Sequence, residues 1–199
     1  MTALRTAWLG LAALALGAAG PPRADPDWPC VQRLVPQLTA STLWGGHDAA
    51  GDWRADPRIS AVVAAIAPRG VSAQEGAGRL EKFVATVPAA DRPAQTALVF
   101  AGLVDETNVQ RAQVIDRLRG IARRQRALTE LTSQITAELR ALPAGAPASQ
   151  RDEVISRRAF LIREYEDIER TIRYSCEVPV QMEAKLGSLA QTLQRALTD

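Results

Sequence analysis

Between residues 114 and 142 the chain repeats a heptad. Val114, Leu118, Ile121, Gln125, Leu128, Thr132, Ile135, Leu139 and Leu142 fall alternately four and three apart, and only Gln125 and Thr132 among them are polar. Held over about four heptads, this spacing is that of a helix burying one narrow face against another helix. The segment PAGAPASQ, 143–150, then breaks the pattern with two prolines and a glycine. A second seam follows as Val154, Leu161, Tyr165, Ile168 and Ile172, and it resumes beyond Pro179 as Met182, Leu186, Leu189, Leu193 and Ala196. Two long amphipathic segments with a short break between them predict an antiparallel helical hairpin.

Folding the chain about residues 146–147 checks the pairing. Leu139 then faces Val154, Thr132 faces Leu161, Leu128 faces Tyr165 and Ile121 faces Ile172. Seam meets seam at each level, and Gln125 and Thr132 read as polar residues that set the register. An arm of about 34 residues would reach about 50 Å. Its base falls near Val109 and Val178.

Residues 56–104 predict three short helices. Asp56 before Pro57 is an N-cap followed by proline at the first helical position, and Ile59, Val62, Val63 and Ile66 follow at helical spacing. Ser72 with Glu75 has the capping-box spacing ahead of Leu80, Phe83, Val84 and Val87. Asp91 is placed to cap a third helix containing Leu98, Val99, Phe100, Leu103 and Val104. The expected fold is all-α: an irregular Trp-rich arm at 25–55 with a short helix near 38–43, a head of short Ala-rich helices at 56–104, and a coiled-coil-like hairpin at 105–199 with its tip at 143–150.

The first residues read as an export signal. Arg5 supplies a positive start, residues 7–19 form an apolar run of about 13 residues, and small residues lead to Pro21 and Pro22. The run is short of the ~20 residues that span a bilayer. A signal peptide over 1–19, cut between 19 and 24, is expected, with no membrane span left after cleavage. The rest, about 175–180 residues, is enough for one domain. A formal net charge of +2 gives no global pull toward nucleic acid or anionic membrane.

Export bears on the cysteines, Cys30 and Cys176. The bulky Trp28-Pro29 pair before Cys30 does not fit a lipoprotein signal, and no CxxCH haem motif is present. With one His, His47, and two Cys, four-ligand N/S metal sites are poorly supplied. A Cys30 nucleophile would need His47, in a Gly-rich loop, as its base. A redox pair usually has its cysteines two residues apart. The remaining reading is a disulfide in an oxidising compartment, tying the arm to the base of the hairpin.

Two further clusters invite a functional reading. Arg111, Arg117, Arg119, Arg123, Arg124 and Arg126 crowd one stretch, but the fold-back sets the last three opposite the acidic REYEDIE segment, so interhelical pairing is expected. Trp28, Trp44 and Trp53, with His47, are the candidate binding surface, because tryptophan is enriched at binding hot spots. Equally, an irregular arm needs large rings to hold it down. No P-loop, dinucleotide fingerprint or Ser-His-Asp set is present, so no catalytic activity and no cofactor are expected, with an enzyme built on Asp and Glu alone as the remote alternative. The expectation is a periplasmic or secreted interaction, adaptor or assembly protein that contacts another envelope protein. The alternative is a small-molecule or lipid-binding protein using the Trp-rich arm against the head.

Overall fold

The computed structural model describes residues 25–46 and 48–198. The expected export signal and cleavage region, and His47, lie outside the described residues. The protein is all-α, with helices α1 (Ala40–Leu43), α2 (Pro57–Ile66), α3 (Ala73–Ala85), α4 (Arg92–Ala141) and α5 (Ala148–Thr198), and a 3-10 turn at Trp53–Ala55 ahead of α2. Helices α4 and α5 form the antiparallel hairpin.

Local chemistry sets the short elements. The Asp56 carboxylate accepts from the amides of Arg58 (2.8 Å) and Ile59 (3.3 Å), with Pro57 opening α2. Ser72 caps α3 through the Glu75 amide (3.1 Å), but the Glu75 carboxylate pairs with Arg79. Asp91 departs from expectation: its backbone is already helical and its side chain makes no capping bond. Proline in the first turn of α4 presets the dihedral there.

The seam is where the repeat placed it. Val114, Leu118, Leu128, Ile135, Val154, Ile168, Ile172, Met182, Leu186, Leu189 and Leu193 are buried, and the remaining seam residues, Gln125 and Thr132 included, are half-buried. Arg158 Nε donates to Thr136 Oγ1 at 3.0 Å, within one residue of the predicted level.

The head is not a separate stack of three short helices. The expected third helix runs without a break into the stalk as the 50-residue α4, about 75 Å long. The reason lies in the sequence. Ala97, Phe100, Val104, Thr107, Arg111 and Val114 continue the same heptad phase backward, disguised by a threonine and an arginine. Nor does Pro179 break the second helix. It is buried inside α5, at the cost of one backbone donor. Beyond it Leu186, Leu189, Ala190 and Leu193 enter the head core with Ile59, Val63, Leu80, Val99, Phe100 and Leu103. The head is therefore α2 and α3 packed on the ends of the two stalk helices. Contact is close at Gly102, where a Cβ would come within 2.7 Å of Val63 and 2.9 Å of the Trp53 ring.

The seam assignment predicts unequal costs for two substitutions on α4. Leu128→Asp puts a carboxylate into a buried position and should cost about 3–4 kcal/mol in denaturant unfolding. Ser133→Asp, on the exposed face, should stay within about 0.5 kcal/mol of the parent.

Candidate functional site

The arm, residues 25–39, has no regular structure of its own, so its backbone groups must find partners elsewhere. Those of Pro26, Val35 and Leu38 find them on the stalk. Cys30 is bonded to Cys176 of α5, with Cα atoms 5.6 Å apart. Gln32 donates through its side chain to the Cys176 carbonyl, and the Trp28 indole donates to the Gln32 carbonyl at 2.7 Å. The Asn108 amide on α4 bonds both ways with the Leu38 backbone, at 2.8 and 2.9 Å.

Most of the arginine cluster serves the same end. Arg119 pairs with Asp25 at 2.8 Å, and Arg123 with Asp27 at 2.8 Å. Arg126 also engages Asp27 and donates to the Pro26 carbonyl at 3.0 Å. Of the pairs expected with REYEDIE, Arg124 with Glu164 at 2.7 Å forms, whereas Arg123 and Arg126 turn to the arm. The Asp25 carboxyl is held below the usual carboxylate range by the Asp27 backbone amide and by Arg119, and Asp27 by Arg123 and Arg126. Arg111, 3% exposed, donates to the carbonyls of Pro179 (2.7 Å) and Val35 (2.8 Å). Burial lowers its pKa, opposed by Glu183, yet a guanidinium keeps its charge inside a protein. One residue thus joins α4, α5 and the arm.

The three tryptophans do not share one surface. Trp28 is half-buried against the hairpin cluster. Trp44 and Trp53 are buried in the head. Trp44 stacks on Phe100, with centroids 5.0 Å apart and planes at 22°. Trp53 donates from its indole to Asp105 at 2.9 Å, under the Arg54 guanidinium at 4.2 Å. These contacts are what large rings do when they pin irregular chain to a helical surface. Among the described residues, no group of three or more His, Cys, Asp or Glu is placed to hold a metal ion.

Beyond the arm's reach the hairpin changes character. Leu131, Ile155 and Phe160 are 46%, 46% and 57% exposed. In the heptad of the seam, Leu131 takes position g. Ile155 and Ile162 take position e, and Phe160 takes c, beside g. Positions e and g lie on opposite sides of an a/d seam. One flank carries an apolar groove lined by Leu131, Ile135, Phe160 and Leu161, beside Ser156 and Arg157. The other carries a groove lined by Thr129, Thr132, Ile162 and Tyr165. A two-helix seam needs only a and d, whereas apolar residues at e or g mark helices that meet further neighbours. This widening was readable in the sequence but was hidden behind the regularity of the seam. By contrast Val109, Tyr174 and Val180 are exposed singly near the base, which is ordinary for a protein surface.

Compared with protein-family models, with curated proteins and with solved structures, the chain matches none. Among the described residues no helix is long and apolar enough to cross a membrane, and the disulfide is compatible with an exported protein.

Two outcomes are expected for the arm. Reduction of Cys30–Cys176 opens a loop with a sequence separation of 146, a constraint worth up to about 5 kcal/mol by chain-entropy reasoning. Limited proteolysis after reduction should therefore cut within residues 31–58 before it cuts the hairpin. Acid should loosen the same segment. Asp25 and Asp27 have lowered folded pKa values, so their contribution is complete above the ordinary aspartate value and is lost as pH falls through the depressed one. Asp27→Asn should reproduce that loosening at neutral pH, read by protease sensitivity of the arm with the disulfide intact.

Proposed function

We infer that this chain is an exported, non-catalytic interaction protein of the adaptor or assembly type, which uses the distal half of its hairpin to contact another envelope or periplasmic protein. The observation that carries this reading is the apolar widening of the distal hairpin, where Leu131, Ile155 and Phe160 stand out beside grooves on both flanks. Contiguous apolar surface rimmed by charge is characteristic of protein contact sites. An amphipathic helix laid in such a groove is a recurring mode of recognition.

The division of labour along the molecule supports the same reading. The arm and the proximal stalk are tied together by the disulfide, the Asp–Arg pairs and Arg111. Those ties hold the root of a long lever and leave the far end free to engage. The ligand-binding alternative draws less support, because Trp44 spends a face on Phe100, and Trp53 spends its donor on Asp105 and a face on Arg54.

A photo-crosslinking residue at Ile155, in cells exporting the protein, should give one discrete adduct with an envelope protein. The same probe at Arg117, exposed near the base, should not. Adduct formation should drop at least tenfold when Ile162→Asp is added, a loss of about 1.4 kcal/mol or more. Labelling of equal strength at both probe sites, or none at Ile155, would overturn this reading.

A further inference from the structure

We propose that the Leu131–Phe160 flank of the hairpin pairs with the same flank of a second copy of this chain, the two hairpins lying antiparallel about a twofold axis. The proposal rests on the reading of the distal hairpin as a contact surface, and it names the occupant of one of its two sides.

The charges around that flank are arranged to meet their own copy. Two interhelical ion pairs frame the groove: Arg124 with Glu164 at 2.7 Å on the side of the head, and Glu138 with Arg157 at 3.5 Å on the side of the tip. The first has its arginine on α4 and its glutamate on α5. The second is reversed. Positive and negative corners therefore alternate around the apolar patch. Leu131 sits midway on α4, one heptad from Arg124 and one from Glu138, and Phe160 sits between Arg157 and Glu164 on α5. A twofold axis crossing both helices at Leu131 and Phe160 lays Arg124 of one copy over Glu138 of the other, and Arg157 over Glu164. Every corner meets its opposite, and the apolar residues meet at the centre. Such complementarity is what fixes partner and register at an interface, and a self-complementary patch is what an isologous dimer requires.

The antiparallel arrangement is favoured by the head. Arg69 and Gly70, in the loop between α2 and α3, line a pocket on the stalk with Gln110, Val178 and Lys185. Gln110, Val178 and Lys185 fall at heptad position g, so this loop stands on the same flank. Parallel hairpins would bring two such loops together. In the antiparallel pair, α4 of the second copy ends about 15 Å past the axis, short of Gln110 at about 30 Å. The overlap is then about 30 Å long and about 20 Å wide. That is about 1,200 Å² over both copies, at the lower end of what specific interfaces bury. The flank bearing Ile155 and Ile162 stays open to a different partner. The arm, bonded at Cys176 in position e, does not occupy the g flank.

Sedimentation of the oxidised protein over a range of concentration tests the pairing. The expected result is a reversible monomer–dimer equilibrium that Phe160→Asp abolishes and Ile155→Asp does not, with both variants keeping the parent's helical circular dichroism. Leu131→Cys, at the axis, should give a covalent dimer on mild oxidation. Glu138→Cys should not, because two copies of that residue would lie about 21 Å apart. A parent protein that stays monomeric throughout, or a dimer indifferent to Phe160→Asp, would overturn the pairing. If the monomeric protein still gave the Ile155 adduct with an envelope protein, the contact function would stand and only the second copy would be lost.

Discussion

One continuous heptad phase governs this molecule. It starts on α4 at Ala97 in the head and runs to Leu142 beside the tip, and α5 answers it from Val154 to Ala196. Because the phase never slips, the same two helices form the floor of the head and the whole of the stalk. The small helices α2 and α3 and the 3-10 turn have no core without them. Trp53, Ile59, Val63 and Leu80 are buried only because Val99, Phe100 and Leu103 from one long helix and Leu186, Leu189 and Leu193 from the other present themselves together. Head and stalk therefore share the same two helices and one continuous packing surface.

The phase has two weak points close together, Arg111 in a seam position and Pro179 inside the facing helix, and they are in direct contact. The guanidinium donates to the Pro179 carbonyl and, with its second terminal nitrogen, to Val35 of the arm. A buried charge without a carboxylate partner is costly, and here it is met by backbone carbonyl oxygens and by the arm lying over it. This explains why an irregular segment is fastened so heavily. The arm completes the junction between the two helices, and the disulfide and the aspartate–arginine pairs hold it there.

Past the arm the stalk is held by its seam and by side-chain pairs across it, such as Arg157 with Glu138 and Arg158 with Thr136. The apolar residues that spill onto the e and g flanks there cannot be buried by a two-helix hairpin. They shape the contact surfaces on which both the envelope-partner reading and the antiparallel pairing rest. Polar ties and exposed apolar residues thus divide along one axis: the proximal half spends its polar groups on internal ties, and the distal half carries exposed apolar residues.

Periodicity is local information, and what depended on it was legible in the residues alone. This covers the all-α class, the hairpin, its register and its tip, because a helix face is set by spacing and two mirrored faces can pair in only one way without burying polar groups. The cysteine pairing was legible by elimination. What the spacing of residues could not reveal was how segments far apart in sequence compete for the same partners. The fold-back offered only REYEDIE as an acidic neighbour of the arginines, whereas the packed structure, by running the arm along α4, assigned Arg119, Arg123 and Arg126 to Asp25 and Asp27. Asp91 looked like a helix cap, yet at the start of α4 its side chain makes no capping bond; Pro179 looked like a break, yet α5 passes through it, because packing along a continuous seam outweighs a local breaker. The three tryptophans close in sequence suggested a single surface. Tertiary structure dispersed them, sending Trp28 to the hairpin and Trp44 and Trp53 to the head, since each ring goes where apolar area is available rather than where its neighbours in sequence lie.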